Sequence, residues 1–205
     1  MWIPIALGRD VPRATTRGVI LGGEELVAWR AEGGAVAIWE DRCPHRGMRL
    51  SFGFVRGDSL NCLYHGWAYG SDGACRRIPA HPDLAVPPTI RANARRAAET
   101  GGLILVGTGD DPGQPPVLPA GRPIASLAIG TTPDILAGLL DGSPLEGVQG
   151  ASATLDGIDV TLGWHVVSPE KLMLHAVALD PGDVETRTLR ALHRLRAAAE
   201  ERLAA

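Results

Sequence analysis

Over roughly the first half of the chain, apolar and polar positions alternate in short runs that end at glycine pairs. Residues 18–22 and 25–30 flank Gly22-Gly23, and residues 35–39 follow Gly33-Gly34. Period-two runs joined by two-residue glycine turns predict a β-meander. Further strands are expected over 59–63, 67–69, 75–78 and 103–106, a spacing that predicts an all-β sandwich or small barrel. From 107 to 123 the sequence turns to Gly, Pro and Asp, which reads as a linker. Thr132-Pro133-Asp134 then opens a short helix over 135–140, with Thr131 or Thr132 as N-cap and proline in the first turn. Residues 153–162, 165–168 and 172–179 alternate like strands, with turns at Asp156-Gly157 and Pro169-Glu170. A last helix is expected over 184–203. There Leu189, Leu192, Leu195, Ala199 and Leu203 form one apolar stripe, which must dock on this domain or on a neighbouring subunit. The expected organisation is a β domain over 1–110, a linker over 111–130, and a small α+β region over 131–205 ending in a helix.

Charge adds an asymmetry to this pattern. The net charge is −3, yet between Arg42 and Arg77 six arginines face two acids, Asp58 and Asp72. That segment is +4 and the remainder is −7. An acidic chain is a poor nucleic-acid binder, so no nucleic-acid partner is expected. The locally basic segment is suited to steering an acidic protein partner, or is simply a solvated surface. No apolar run approaches the ~18 residues of a membrane helix, and Met1-Trp2-Ile3-Pro4-Ile5 lacks the charged and apolar regions of a secretory signal. The expected setting is cytoplasmic, with no membrane partner.

Three cysteines cannot make an even disulfide framework, and in a cytosolic chain their spacing points to metal. Cys43-Pro44-His45 and Cys62-Leu63-Tyr64-His65 each offer one thiolate and one imidazole from a short loop. Spacing alone permits two chemistries. A Cys2His2 zinc site would use all four ligands on one ion. A Rieske centre would place both cysteines on one iron and both histidines on the other. The single residue between Cys43 and His45 is tighter than usual zinc-finger gaps. A glycine also follows the ligands of each loop, at Gly47 and Gly66, where backbone N–H groups can approach cluster sulfurs. Both features favour iron–sulfur.

The stretch from Arg42 to Pro82, with CPHRG and CLYHGW as its ligand loops, resembles the Rieske domain of ring-hydroxylating and O-demethylating non-haem iron oxygenases. The resemblance covers about the first 110 residues. It implies a Rieske-type β-sandwich holding a [2Fe–2S] cluster, with Cys43 and Cys62 on one iron and His45 and His65 on the outer one. Neutral imidazole ligands raise the potential, to roughly −150 mV or above against about −400 mV for all-cysteine plant-type clusters. Respiratory Rieske proteins carry an extra disulfide in these loops. Its cysteines would fall at Met48 and Tyr64, so that branch does not fit. Cys75 reads as a buried free thiol. Trp67 reads as a cluster shield or a core residue, and His81 as structural rather than a partner contact.

Oxygenases of this family add a larger catalytic domain, with a mononuclear iron on two histidines and a carboxylate. The D-x-x-H pattern followed by a nearby second histidine has no match here. The remaining histidines are His81, His165, His175 and His193, at spacings that do not share a helical turn. Three ligands could still converge from distant strands. The leading expectation is therefore a non-catalytic redox subunit in an oligomeric assembly. It would pass single electrons from an upstream reductase or ferredoxin to a separate oxygenase subunit carrying mononuclear iron. The alternatives are a self-contained small Rieske oxygenase with an atypical iron site, and a free Rieske ferredoxin.

Overall fold

Backbone handedness sets the first hairpins. Gly22 and Gly23 both have positive φ, as do Gly101 and Gly102, and so do Asp156 and Gly157. Two consecutive left-handed residues form the tight turn whose twist matches a β-hairpin. The computed structural model describes residues 1–205. It is mainly β, with a long terminal helix.

In chain order the strands are β1 (Trp2–Leu7), β2 (Thr15–Leu21), β3 (Glu24–Arg30), β4 (Val36–Glu40), β5 (Phe54–Arg56), β6 (Ser59–Asn61), β7 (Ala68–Gly70) and β8 (Cys75–Arg77). They continue through β9 (Ala94–Arg95), β10 (Ala97–Thr100), β11 (Leu103–Gly107) and β12 (Arg122–Ile129). The last four are β13 (Gly142–Pro144), β14 (Gly150–Leu155), β15 (Ile158–Ser168) and β16 (Lys171–Ala178). Helix α1 spans Pro133–Ala137 and α2 spans Glu185–Ala204.

The chain divides into two compact units. One comprises Asp10–Ile20 and Glu24–Ala97. It contains two four-stranded sheets, ordered β2-β3-β4-β9 and β5-β6-β7-β8. Both contribute to one core, with Val27, Trp29 and Trp39 from the first and Val55, Leu60 and Tyr69 from the second. Trp29 and Trp39 meet edge to face at 5.0 Å, and Trp39 meets Tyr69 at 6.3 Å. This is the sandwich expected from the short alternating strands.

The other unit comprises Met1–Arg9, Leu21–Gly23 and Ala98–Ala205. Its antiparallel sheet runs β12-β16-β15-β14-β13, and a three-stranded sheet runs β1-β11-β10. On one face of the larger sheet, Val160, Leu162, Leu172 and Leu174 share a core with Leu192, Leu195 and Ala199 of α2. On the other face Gly163 admits β1, since a Cβ there would lie 2.6 Å from the Pro4 ring. The apolar stripe of the last helix thus docks on its own unit. The buried set is centred on Thr188, Leu192, Leu195 and Ala199, while Leu189 and Leu203 are only half-buried.

The partition differs from the one read along the sequence. The first nine residues and the β10–β11 hairpin group with the C-terminal region, not with a 1–110 domain. Within the 111–130 interval read as linker, Arg122–Ile129 is strand β12, paired along its length with β16. Proline and glycine around it hid the strand, although Ile124, Leu127 and Ile129 bury apolar side chains in the sheet–helix core. The short helix begins at Pro133 and ends at Ala137, two and three residues earlier than the interval read as 135–140. Its N-cap is Thr132, whose hydroxyl accepts from the Ile135 N–H.

Candidate metal centre

Two loops at one end of the sandwich carry the four candidate ligands. Loop 1 follows β4, and loop 2 joins β6 to β7. In loop 1 the Cys43 N–H donates to the Met48 carbonyl and the Gly47 N–H donates to the Cys43 carbonyl, both at 2.8 Å. In loop 2 the Cys62 N–H donates to the Trp67 carbonyl and the Gly66 N–H to the Cys62 carbonyl, both at 2.9 Å. The closure is the same in each: cysteine first, glycine fifth, and a half-buried large side chain sixth. Gly47 and Gly66 have φ of 74° and 68°, a left-handed turn that costs other residues about 1–2 kcal/mol. The loops differ in placing histidine third in one and fourth in the other.

The buried carboxylate of Asp41 braces loop 1 from outside. It accepts from the backbone N–H and the hydroxyl of Ser51, both at 2.6 Å, tying the segment after the loop to the one before it.

Donor types segregate by depth. Cys43 and Cys62 are buried at the base, whereas His45 is half-buried and His65 exposed at the mouth. The imidazole rings lie 4.7 Å apart at 63°. Burial pushes the Cys62 thiol up, opposed by backbone N–H groups of Tyr64 and His65 that point to its sulfur. Loss of hydration lowers the His45 pKa, aided by the neighbouring His65 and Arg46, which favours the neutral ring. The Tyr69 hydroxyl lies 3.2 Å from the Cys43 sulfur, and burial, then this contact, pushes the phenol far above its usual range.

These donors fit a dinuclear cluster. A single tetrahedral ion needs all four donors around one point, whereas a Rieske centre takes a sulfur pair on one iron and a nitrogen pair on the other. Sulfurs buried together beneath two adjacent rings suit the second arrangement.

Aromatic side chains flank both histidines. The Trp67 indole stacks on His45, with centroids 4.1 Å apart and planes within 6°. Tyr64 leans over His65 at 3.8 Å and 32°. Cys75 is a buried free thiol, as read from the sequence, and burial raises its pKa. His81 is exposed in the turn after β8. The arginines of the basic segment do not all face solvent unpaired: Arg49 pairs with Glu25, Arg76 with Asp72, and Arg56 lies 5.0 Å over the Phe54 ring.

Among the remaining histidines the structure brings two together. His165 and His175 are buried in the C-terminal unit, with His175 Nε2 3.2 Å from His165 Nδ1. Gly163 pairs with His175 across β15 and β16, so His165 is the diagonal neighbour on the same face. The pair also reaches the Pro4 carbonyl at 3.0 Å and the Ser126 hydroxyl at 2.8 Å. His193 is exposed on α2. Spacing along the chain did not reveal this pair, because strand register and not helical periodicity unites it. Tyr69 and Asp41 also went unnoticed, since each acts through a partner distant in sequence.

Comparison with known proteins identifies relatives of the first part of the chain. Residues 1–88 match the Rieske [2Fe-2S] domain. The chain is 43% identical over 115 residues to Oxidoreductase NdmD of Pseudomonas putida, covering 56% of this chain and 20% of that protein. It is 33% identical over 128 residues to the 5,5'-dehydrodivanillate O-demethylase oxygenase subunit of Sphingobium sp., covering 60% and 30%. The chain spans a fifth to a third of the length of the curated relatives it matches. Its fold resembles that of apo dicamba monooxygenase, with a TM-score of 0.75 at 19% identity over 98% of this chain and 85% of that one. It likewise resembles NdmA of Pseudomonas putida, with a TM-score of 0.73 at 18% identity over 98% and 79%. No helix is long and apolar enough to cross a membrane. Residues 1–88 therefore contain a Rieske [2Fe–2S] domain, which binds a [2Fe–2S] cluster, and through it the chain is related to the Rieske oxygenase and demethylase components.

Proposed function

We propose that Cys43, Cys62, His45 and His65 hold the cluster, and that this chain is an electron-transfer subunit for a separate oxygenase. When bound, the cluster accepts and releases one electron at a time. The chain's own residues make that exchange possible at the surface. Cys43 and Cys62 anchor from the buried base, and the Tyr69 hydroxyl donates to the Cys43 sulfur. His45 and His65 form the outer side, where His65 is open to a partner. The upstream donor is a reductase or ferredoxin, and the acceptor is an oxygenase subunit carrying mononuclear iron. The two work in a cytoplasmic hetero-oligomer.

The carrying observation is the pair of identically closed loops that bury two thiols and expose an imidazole. The chain's sequence also has no match to the family's catalytic-iron pattern. Iron analysis of the purified holoprotein tests the reading. Two irons per chain, a reducible cluster, and turnover only after adding a partner oxygenase are expected. Stoichiometric zinc in a colourless protein would refute the ligand assignment.

A second reading has one observation in its favour. His165 and His175 bring two ring nitrogens within hydrogen-bond distance, 3.2 Å, and imidazole nitrogens are common metal ligands. A self-contained oxygenase predicts three irons per chain, the third lost in His175→Ala with the cluster retained.

A further inference from the structure

Within each loop the sixth residue occupies an equivalent place: Met48 in loop 1 and Trp67 in loop 2. Both are half-buried against the sandwich core. Only Trp67 carries a flat aromatic face, and that face lies parallel to the imidazole of the opposite loop, 4.1 Å from His45 at 6°. His65 receives no such plate, for its neighbour Tyr64 is tilted by 32° and is itself 58% exposed. The two histidines are thus unlike in surroundings. His45 has a parallel indole against one face, and His65 has only the tilted, exposed Tyr64 ring beside it.

A parallel stack at this separation has two physical effects. It restricts rotation of the imidazole about its bond to Cβ, because turning the ring would drive its edge into the indole. It also excludes water from one face of a group that would ligate the outer iron. With two thiolate and two neutral imidazole ligands, the oxidised site carries no net charge and the reduced site one negative charge. A drier surrounding penalises the charged state, so the indole holds the reduction potential down.

We propose that Trp67 is a positioning residue for His45, fixing the plane of its ring and setting the potential of the site by keeping that face dry. The stack crosses between loops, so Trp67 also couples the ligand geometry of loop 1 to the closure of loop 2, whose last hydrogen bond is accepted by its own carbonyl. This inference rests on the proposed ligand set.

Full-length, cluster-loaded protein tests it in two variants, Trp67→Phe and Trp67→Leu. Pulsed EPR of the reduced state reads the nitrogen couplings of the two imidazoles, and a redox titration reads the potential. Trp67→Phe keeps an aromatic face and should retain both couplings and a potential near the original. Trp67→Leu fills the core without a ring face, and should shift one imidazole's coupling, leave the other, and move the potential upward. Loss of the cluster in Trp67→Leu with retention in Trp67→Phe supports the proposal equally. Unchanged couplings and potential in Trp67→Leu overturn it, and so does loss of the cluster in both variants, which would make the indole only a core filler. If the unmodified protein shows no two-imidazole signal, the ligand assignment fails instead, and the two failures are told apart.

Discussion

The Tyr69 hydroxyl lies 3.2 Å from the Cys43 sulfur, joining a strand of the sandwich to the base of loop 1. With Cys43 as a thiolate the hydroxyl is the donor. A hydrogen bond to a ligand sulfur favours the more negative, reduced state. Tyr69→Phe should therefore lower the reduction potential, and cost about 1 kcal/mol of stability for the lost bond. Redox titration and urea unfolding check the two effects separately.

His65→Cys tests the ligand assignment from the other side. An additional thiolate adds a negative charge at the outer iron, so the cluster should remain but at a lower potential. The reduced EPR spectrum should lose one of its two nitrogen couplings. A variant with unaltered spectrum and potential would remove His65 from the ligand set.

Gly66 separates backbone strain from crowding. Its φ of 68° is costly for alanine, and a Cβ would lie 3.1 Å from the Pro79 ring. Gly66→Ala should lower stability by about 1–2 kcal/mol and reduce cluster occupancy. Gly57 shares a positive φ of 56°, but a Cβ there would meet nothing within 4 Å, so Gly57→Ala should carry strain alone and leave occupancy intact. Iron content per chain and thermal unfolding give the comparison.

Gly163→Ala probes the C-terminal unit. Its Cβ would fall 2.6 Å from one Pro4 ring carbon and 2.7 Å from another, forcing β1 and β15 apart. Overpacking of this kind costs about 1–3 kcal/mol. The midpoint of denaturant unfolding should drop, while the spectrum of the cluster stays unchanged.

Asp72 supplies a pH-dependent contribution. Burial acts to raise its pKa, but the Ala74 N–H and the Arg76 and Arg91 guanidinium groups outweigh this and hold the carboxyl below its usual value. A depressed folded-state pKa stabilises above the unfolded value, near ~3.9, and the contribution fades as pH falls through the lower folded value. The side chains are roughly half exposed, so Asp72→Asn should cost only about 0.5 kcal/mol at neutral pH. The difference should fade as pH falls through the folded value and vanish below it. Urea unfolding across this range reads the slope.

The ligand loops were legible in the sequence because their chemistry is local. A cysteine, a histidine and a left-handed glycine within six residues specify each loop, whatever surrounds it. Hairpins at Gly22-Gly23 and Asp156-Gly157 were legible for the same reason, and the last helix was marked by its apolar period. Strand β12 was not, because Pro123 and the neighbouring glycines mask a segment whose burial depends on β16 and α2. Nor was the grouping of Met1–Arg9 with the C-terminal region, which arises from pairing of β1 with β11 about a hundred residues away. Sequence alone thus determined the cysteine and histidine pattern of each loop and how the loop turns. Tertiary packing decided their inequality: which sulfur meets Tyr69, which imidazole is stacked on Trp67, and which is left open. Those contacts join segments whose separation in the chain says nothing of their distance in space.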